Sequence, residues 1–317
     1  MLLLEASTSS IRPNTKEDDT IENTDIVIWD EAPMASSYAL KAVDILLRDI
    51  MNINVSFGGK IMLGNGDLPA NDNDEIDLPT GCISDSNLAG EIFGKHISLE
   101  DVPNLCDRVI LCPQDEHSLI VNEQVLQRLP EIEKVYSSIN DIECEYGEDV
   151  CNYPTEFLNS LTPSGMPPHK LNLKAGAIVM LLRNLDVNRG FCNGTRLIMR
   201  RLHNHTVDCE VATGSNKGNR TLIPRISLIP SDTFLSFKLR GHQFSIRLSF
   251  AMTINKLQGQ TFNRLGLLLP RPVFSHGQLY VAFSRVRSVG FIRLQLIEEK
   301  KNSKTKKTRN IVFHEVL

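Results

Sequence analysis

The sequence predicts an α/β protein that carries a small antiparallel barrel or sandwich inside or beside its α/β core. Three stretches predict it. Residues 26–34, IVIWDEAPM, run four apolar residues without a break into two acids, the form of a buried strand that delivers carboxylates at its C-terminal end. Residues 36–50, SSYALKAVDILLRDI, then place Leu40, Val43, Ile45, Leu46, Leu47 and Ile50 at helical spacing and lead into FGGKIML, a second buried strand. Strand, acids, helix, strand is the grammar of a parallel sheet. From 171 to 250 the spacing shifts to short alternating strands separated by Gly, Asn and Asp turns, which is antiparallel.

Taken in order, residues 7–25 are polar without a period and read as a loop, and Pro33 sits where the first helix begins. Residues 64–85 are dense in Asp, Asn, Gly and Pro and read as a loop or linker. DRVILCP is a strand, and SLIVNEQVLQRL a helix with Leu119, Ile120, Val125, Leu126 and Leu129 along one side. The close, KKNSKTKKTRN between FIRLQLI and IVFHEV, reads as a hairpin with a strongly basic tip. No internal repeat interrupts this order.

Over 317 residues, 41% hydrophobic and 23% charged is the balance of a globular protein with a real core. A net charge of -4 argues against gripping nucleic acid over the whole surface, while leaving room for a local basic patch. Seven cysteines, none in a C-x-x-C pair, point to free thiols and not to a zinc centre. No signal sequence is expected, and no run approaches the roughly 20 apolar residues of a membrane span.

Three constellations carry possible chemistry. Asp30 and Glu31 suit a division of labour in which one carboxylate holds Mg²⁺ through its water shell and the other orients the attacking water. A pair of acids after a strand also serves simply to cap the next helix. Residues 249–265, SFAMTINKLQGQTFNRL, end a strand in Thr253, Asn255, Lys256, Gln258, Gly259, Gln260 and Thr261, a cluster of donors with a glycine that lets backbone approach a phosphate, although a plain polar turn reads the same way. In GQLYVAFSRVRS, residues 277–288, a helix presents Ser284, Arg285 and Arg287, which is also how a solvated helix face reads.

Together these residues resemble a family. IVIWDEAPM, VILCPQDE, LKAGAIVMLLRNLD with GFCNGTRL, AMTINKLQGQTF and LYVAFSRVRS occur in this order in the Pif-type DNA helicases of superfamily 1, with the strongest resemblance to the helicase portion of Helitron transposons. The resemblance implies RecA-like, P-loop NTPase parallel sheets with a small SH3-like insertion. Its divisions would be a partial first RecA-like domain at 1–66, a polar loop at 67–85, a second RecA-like domain at 86–165 and 251–317, and the β-rich insertion at 166–250. It further implies Asp30 on Mg²⁺, Glu31 activating water and Arg285 reaching the γ-phosphate of ATP. Lys256 and Gly259 would serve the nucleotide, and Thr253, Asn255, Gln258, Gln260 and Arg287 the DNA. The implied activity is ATP hydrolysis coupled to 5′-to-3′ movement on single-stranded DNA and opening of forks, in repair, recombination, telomere maintenance or transposon replication, with a nuclear or else mitochondrial address.

The sequence departs from that pattern in three places. No G-x-x-x-x-G-K-[ST] loop occurs, so no glycine-rich cradle or lysine for the phosphates is present in these 317 residues. The strand GGKIML runs straight into GNGDLP, as if the sensor segment had been removed between Leu63 and Gly64. Leu257 stands where the family has a serine. The first RecA-like domain is therefore expected to be incomplete, and the chain from 86 onward to fold better than the part before it. The alternative to an active helicase is a catalytically inactive remnant holding single strands through the β-rich insertion, Arg285, Arg287 and the tip bearing Lys304, Lys306 and Lys307. A metal-dependent nuclease built on Asp30 and Glu31 is disfavoured, because no further carboxylates stand at a recognisable spacing.

Overall fold

The computed structural model describes residues 21, 26–28, 37–55, 61–63, 75–78, 80–84, 87–143, 153–163, 165–230, 235, 237–256, 260–275, 277–296 and 307–309. Four strands lie parallel in the order Ala251–Thr253, Arg108–Cys112, Arg264–Leu269, Ile292–Leu296. The two central strands, Arg108–Cys112 and Arg264–Leu269, are nearly continuous apolar runs because both faces are covered. Ile110, Cys112, Ala251 and Leu268 share one core with the helices Leu88–Phe93 and Asp115–Leu126. The alternate residues Val109, Leu111, Leu265, Leu267 and Leu294 pack on the opposite side with the helix Gln278–Ser284. Gly266 lets the Leu88–Phe93 helix lie close on the sheet, since a Cβ there would meet Ile110 Cγ1 at 2.9 Å and Ile92 Cγ1 at 3.0 Å.

The β-rich part is a seven-stranded antiparallel sheet ordered Ile246–Leu248, Ile178–Leu181, Arg196–Leu202, Thr206–Val211, Arg220–Leu228, Lys238–Phe244, Ile139–Glu143. Its end strands are not paired with each other among the described residues, so it is an open sheet and not a closed barrel. Two pairings extend it beyond the expected start at 166. Ile139–Glu143 joins its far edge, and Lys134–Ser137 pairs with Lys170–Leu173. The switch back to the parallel sheet falls between Leu248 and Ala251, at the expected boundary. One continuous core runs from Val125 and Ile110 through Val179, Leu197 and Val207, so the two sheets are packed as one body.

Before residue 78, Ile26–Ile28 pairs in parallel with Ile61–Leu63, with the helix Ser37–Met51 between them in sequence, as the strand–helix–strand reading requires. That helix ends in a left-handed Asn52, φ 49°, with Ile53 N–H donating to the Arg48 carbonyl at 3.2 Å, a Schellman-type stop. Leu47 is the one buried residue among those described before 78.

Two elements differ from expectation. Lys307–Arg309 does not fold back on the preceding strand. It pairs antiparallel with Glu75–Asp77, inside the stretch read as loop, in a register that sets Lys307 opposite Asp77 and Arg309 opposite Glu75. In the Asp115–Leu126 helix, Ser118, Val121, Asn122, Val125 and Leu126 face the core, whereas Leu119 and Ile120 are 42% and 53% exposed. No described helix is long and apolar enough to cross a membrane.

Candidate nucleic-acid interface

The strands Arg108–Cys112 and Ala251–Thr253 are parallel neighbours, so the segments that leave their carboxyl ends emerge side by side. After Thr253 the chain enters a short 3₁₀ turn, Ile254–Lys256, which sets Asn255 and Lys256 on that rim. Opposite lie turns of the β-rich sheet. Asn255, Lys256 and Gln260 on one side, with Gly190, Cys192–Thr195 and Gly214–Asn216 on the other, line an open cleft of about 490 Å³. The sequence motifs GFCNGTRL and TINKLQGQ, far apart in the chain, thus meet.

Three buried polar groups hold this rim. Asn122 is 2% exposed, and its side chain donates from Nδ2 to the Ala251 carbonyl at 2.7 Å and accepts from the Ala251 N–H at 2.9 Å, fixing the strand that ends in Thr253. Gln278, 1% exposed, donates from Nε2 to Asn255 Oδ1 at 3.3 Å while its Oε1 accepts from the Phe274 and Ser275 N–H groups. Arg196, on the cleft wall, donates from Nη1 to the Cys106 carbonyl at 2.6 Å and from Nη2 to the Arg108 and Ser249 carbonyls at 3.1 and 3.0 Å. Its guanidinium lies 5.3 Å from the Phe262 ring centre. Burial pulls the Arg196 pKa down to about 10, so the group stays charged at neutral pH and ties the β-rich sheet to the starts of two neighbouring parallel strands.

Lys256 also meets a carboxylate. Asp115, first residue of its helix, accepts from Arg247 Nη1 and Nη2 at 3.1 and 3.0 Å and from Lys256 Nζ at 3.5 Å. Burial opposes ionisation of Asp115, but Arg247 and Lys256 outweigh it and hold the carboxyl below its ordinary range. Burial, with the charge of Arg247, lowers the Lys256 pKa, and Asp115 restores part of it.

The remaining expected site residues fall into two groups. Asp30, Glu31, Gln258 and Gly259 lie outside the described residues. Thr253 is half-buried at its strand end. Arg285 is not on a solvated helix face: it is 7% exposed, follows the last helical residue, and donates from Nε to the Val281 carbonyl at 3.1 Å and from Nη2 to Ser284 Oγ at 2.9 Å. Arg287 is exposed, and neither arginine lines the cleft. Among the described residues no three His, Cys, Asp or Glu side chains are grouped to hold a metal ion.

The sequence reading missed Asn122, Arg196, Arg247 and Gln278. A signal existed for each of two: an asparagine amid a helical apolar run, SLIVNEQVL, and a lone arginine inside the apolar strand text QFSIRLSF.

The family model described as PIF1-like helicase matches residues 3–70, and that of the DNA helicase Pif1 2B domain matches 156–202, which includes the Gly190–Arg196 wall of the cleft. Two separate stretches of the chain are thus similar to Pif1-like helicases. It is 31% identical over 189 residues to the ATP-dependent DNA helicase PIF1 of Homo sapiens, covering 58% of this chain and 26% of that protein. To the Xenopus laevis protein of the same name it is 30% identical over 196 residues, covering 60% and 28%. This Pif1-like chain therefore spans about a quarter of the length of those relatives. A solved structure of Bacteroides Pif1 bound to ssDNA aligns with 92% of this chain and 75% of its own, at 19% identity and a TM-score of 0.48.

Proposed function

We propose that this Pif1-like chain is the strand-gripping part of an ATP-dependent DNA helicase that moves 5′ to 3′ along single-stranded DNA and opens forks. The cleft supports the reading. A lysine, two amide side chains and glycine-bearing turns offer donors to a phosphate backbone along an open rim. Donors of this kind hold and position a strand without selecting its bases. Thr253, Asn255, Gln258, Gln260 and Arg287 are the proposed DNA contacts, and a nucleus is the proposed place of work.

In the same reading ATP and Mg²⁺ fall to Asp30, Glu31, Lys256, Gly259 and Arg285. The described residues do not fit a triphosphate as they stand. The Arg285 guanidinium is turned onto the last turn of its own helix, Lys256 faces Asp115, and the 317 residues contain no G-x-x-x-x-G-K-[ST] loop. The Arg285 guanidinium, bonded to its own helix, favours a second reading, in which this chain holds single strands without hydrolysing ATP.

Fluorescence anisotropy with a labelled oligothymidylate tests both. Binding should weaken as salt rises, and Lys256→Gln should lower the log–log salt slope by about one. ATP hydrolysis stimulated by the oligonucleotide and lost in Glu31→Gln supports the helicase reading. Binding with no hydrolysis supports the second, and no binding at low salt sinks both.

A further inference from the structure

A surface that grips phosphates has no evident use for a carboxylate among its cations. Asp115 is nevertheless set between Arg247 and Lys256 at the carboxyl edge of the parallel sheet. The two contacts are unequal. Arg247, whose side chain is 9% exposed, makes a two-pronged pair at 3.0 and 3.1 Å and cannot reach the cleft without leaving the core. Lys256 touches a single oxygen at 3.5 Å, its side chain is 29% exposed, and it lines the cleft. The Asp115 side chain is 46% exposed, so its carboxylate is open to solvent as well as to the two cations. A lysine on a flexible stem, held by one long contact, exchanges partners at little cost, whereas a bidentate arginine–carboxylate pair does not.

We propose that Asp115 is a built-in stand-in for a strand phosphate: with the cleft empty it neutralises Lys256, and an incoming phosphodiester takes Lys256 over while Arg247 keeps the carboxylate. The proposal rests on the strand-binding reading above. It deepens that reading by giving the cleft a release device. Each phosphate that binds must outcompete a carboxylate already in contact, so the grip is weaker than the cations alone would give, and the lysine has a partner to return to when the phosphate leaves. A protein that moves along a strand needs both properties.

The test is oligothymidylate binding, at several salt concentrations, by the native chain, Asp115→Asn, Lys256→Gln and the double variant, with a thermal melt of each sample. Removing the carboxylate should tighten binding roughly five- to tenfold at low salt, the scale of one lost charge contact near a surface, and should leave the salt slope near that of the native chain, since Lys256 meets the same phosphate in both. In the double variant the gain should vanish. Because Asp115→Asn leaves Arg247 buried without its partner, unfolding is a risk. Asp115→Asn with Arg247→Met removes the buried pair together, and should bind at least as tightly as the native chain although it has one cation fewer. Folded Asp115→Asn that binds no more tightly than the native chain, or folded Asp115→Asn with Arg247→Met that binds more weakly than the native chain, overturns the proposal alone. No binding by any of these chains overturns the strand-binding reading along with it.

Discussion

Replacing Arg196 by methionine should detach the β-rich sheet from the parallel one. The side chain is 1% exposed and gives three hydrogen bonds to the carbonyls of Cys106, Arg108 and Ser249, which lie at the starts of two neighbouring parallel strands. A hydrogen bond with a charged partner contributes roughly 1.5–3 kcal/mol, so three contribute roughly 5–9 kcal/mol. Against this stands the cost of burying the charge. The fall in pKa from 12.5 to about 10 corresponds to about 3 kcal/mol. Methionine fills much of the same space and recovers part of the packing, while leaving three buried carbonyls without a donor. The net loss should be roughly 2–5 kcal/mol, of the size seen when one partner is removed from a buried polar set. Arg196→Lys should fall between, since one ammonium does not fork to three carbonyls in this geometry. Urea unfolding followed by far-ultraviolet circular dichroism reads the loss as a lower midpoint. A methionine variant within about 0.5 kcal/mol of the native chain, the range of an ordinary surface change, would refute the fastening role.

Asn122→Ala should cost about 2–4 kcal/mol, because the Ala251 N–H and carbonyl both lose a buried partner, whereas Leu119→Ala on the exposed side of the same helix should stay within about 0.5 kcal/mol. The reverse order in urea midpoints would mean that the helix face is wrongly assigned. Among the described cysteines, Cys192 in the cleft should react first with a thiol reagent, and oligothymidylate should slow it. Burial pushes the Cys106 thiol up to about 11, Cys112 up to about 12 and Cys209 higher still, so these three should label only on unfolding. Mass-spectrometric mapping that finds Cys106 modified before Cys192 in the folded chain would contradict this.

Much of the fold was legible because it is written locally. VILC and LGLLL are apolar without alternation, and they form the doubly covered central strands of the parallel sheet. TVDCEV alternates and is buried at every second residue in the antiparallel sheet. The errors arose where local text does not decide. Counting apolar residues placed Leu119 and Ile120 inward, but Asn122 holds the core-facing position because its amide satisfies the backbone of a neighbouring strand. Ile139–Glu143 and Lys307–Arg309 are short, and each found a partner far along the chain that its own letters do not name. Arg285 stands in the expected motif, yet adjacency in sequence says nothing of rotamer, and the side chain bonds to its own helix.

By itself the sequence determined the resemblance and the order of the motifs that carry it. It also placed Asn255, Lys256 and Gln260 among the donors that meet at the rim. Only the tertiary structure decided what surrounds them: the glycine-bearing turns across the cleft, the three carbonyls on Arg196, and the carboxylate of Asp115 between Arg247 and Lys256. The reason is physical. Periods of 2 and 3.6 residues are fixed by the backbone within one element, whereas the partner of a buried charge is fixed by how distant elements pack.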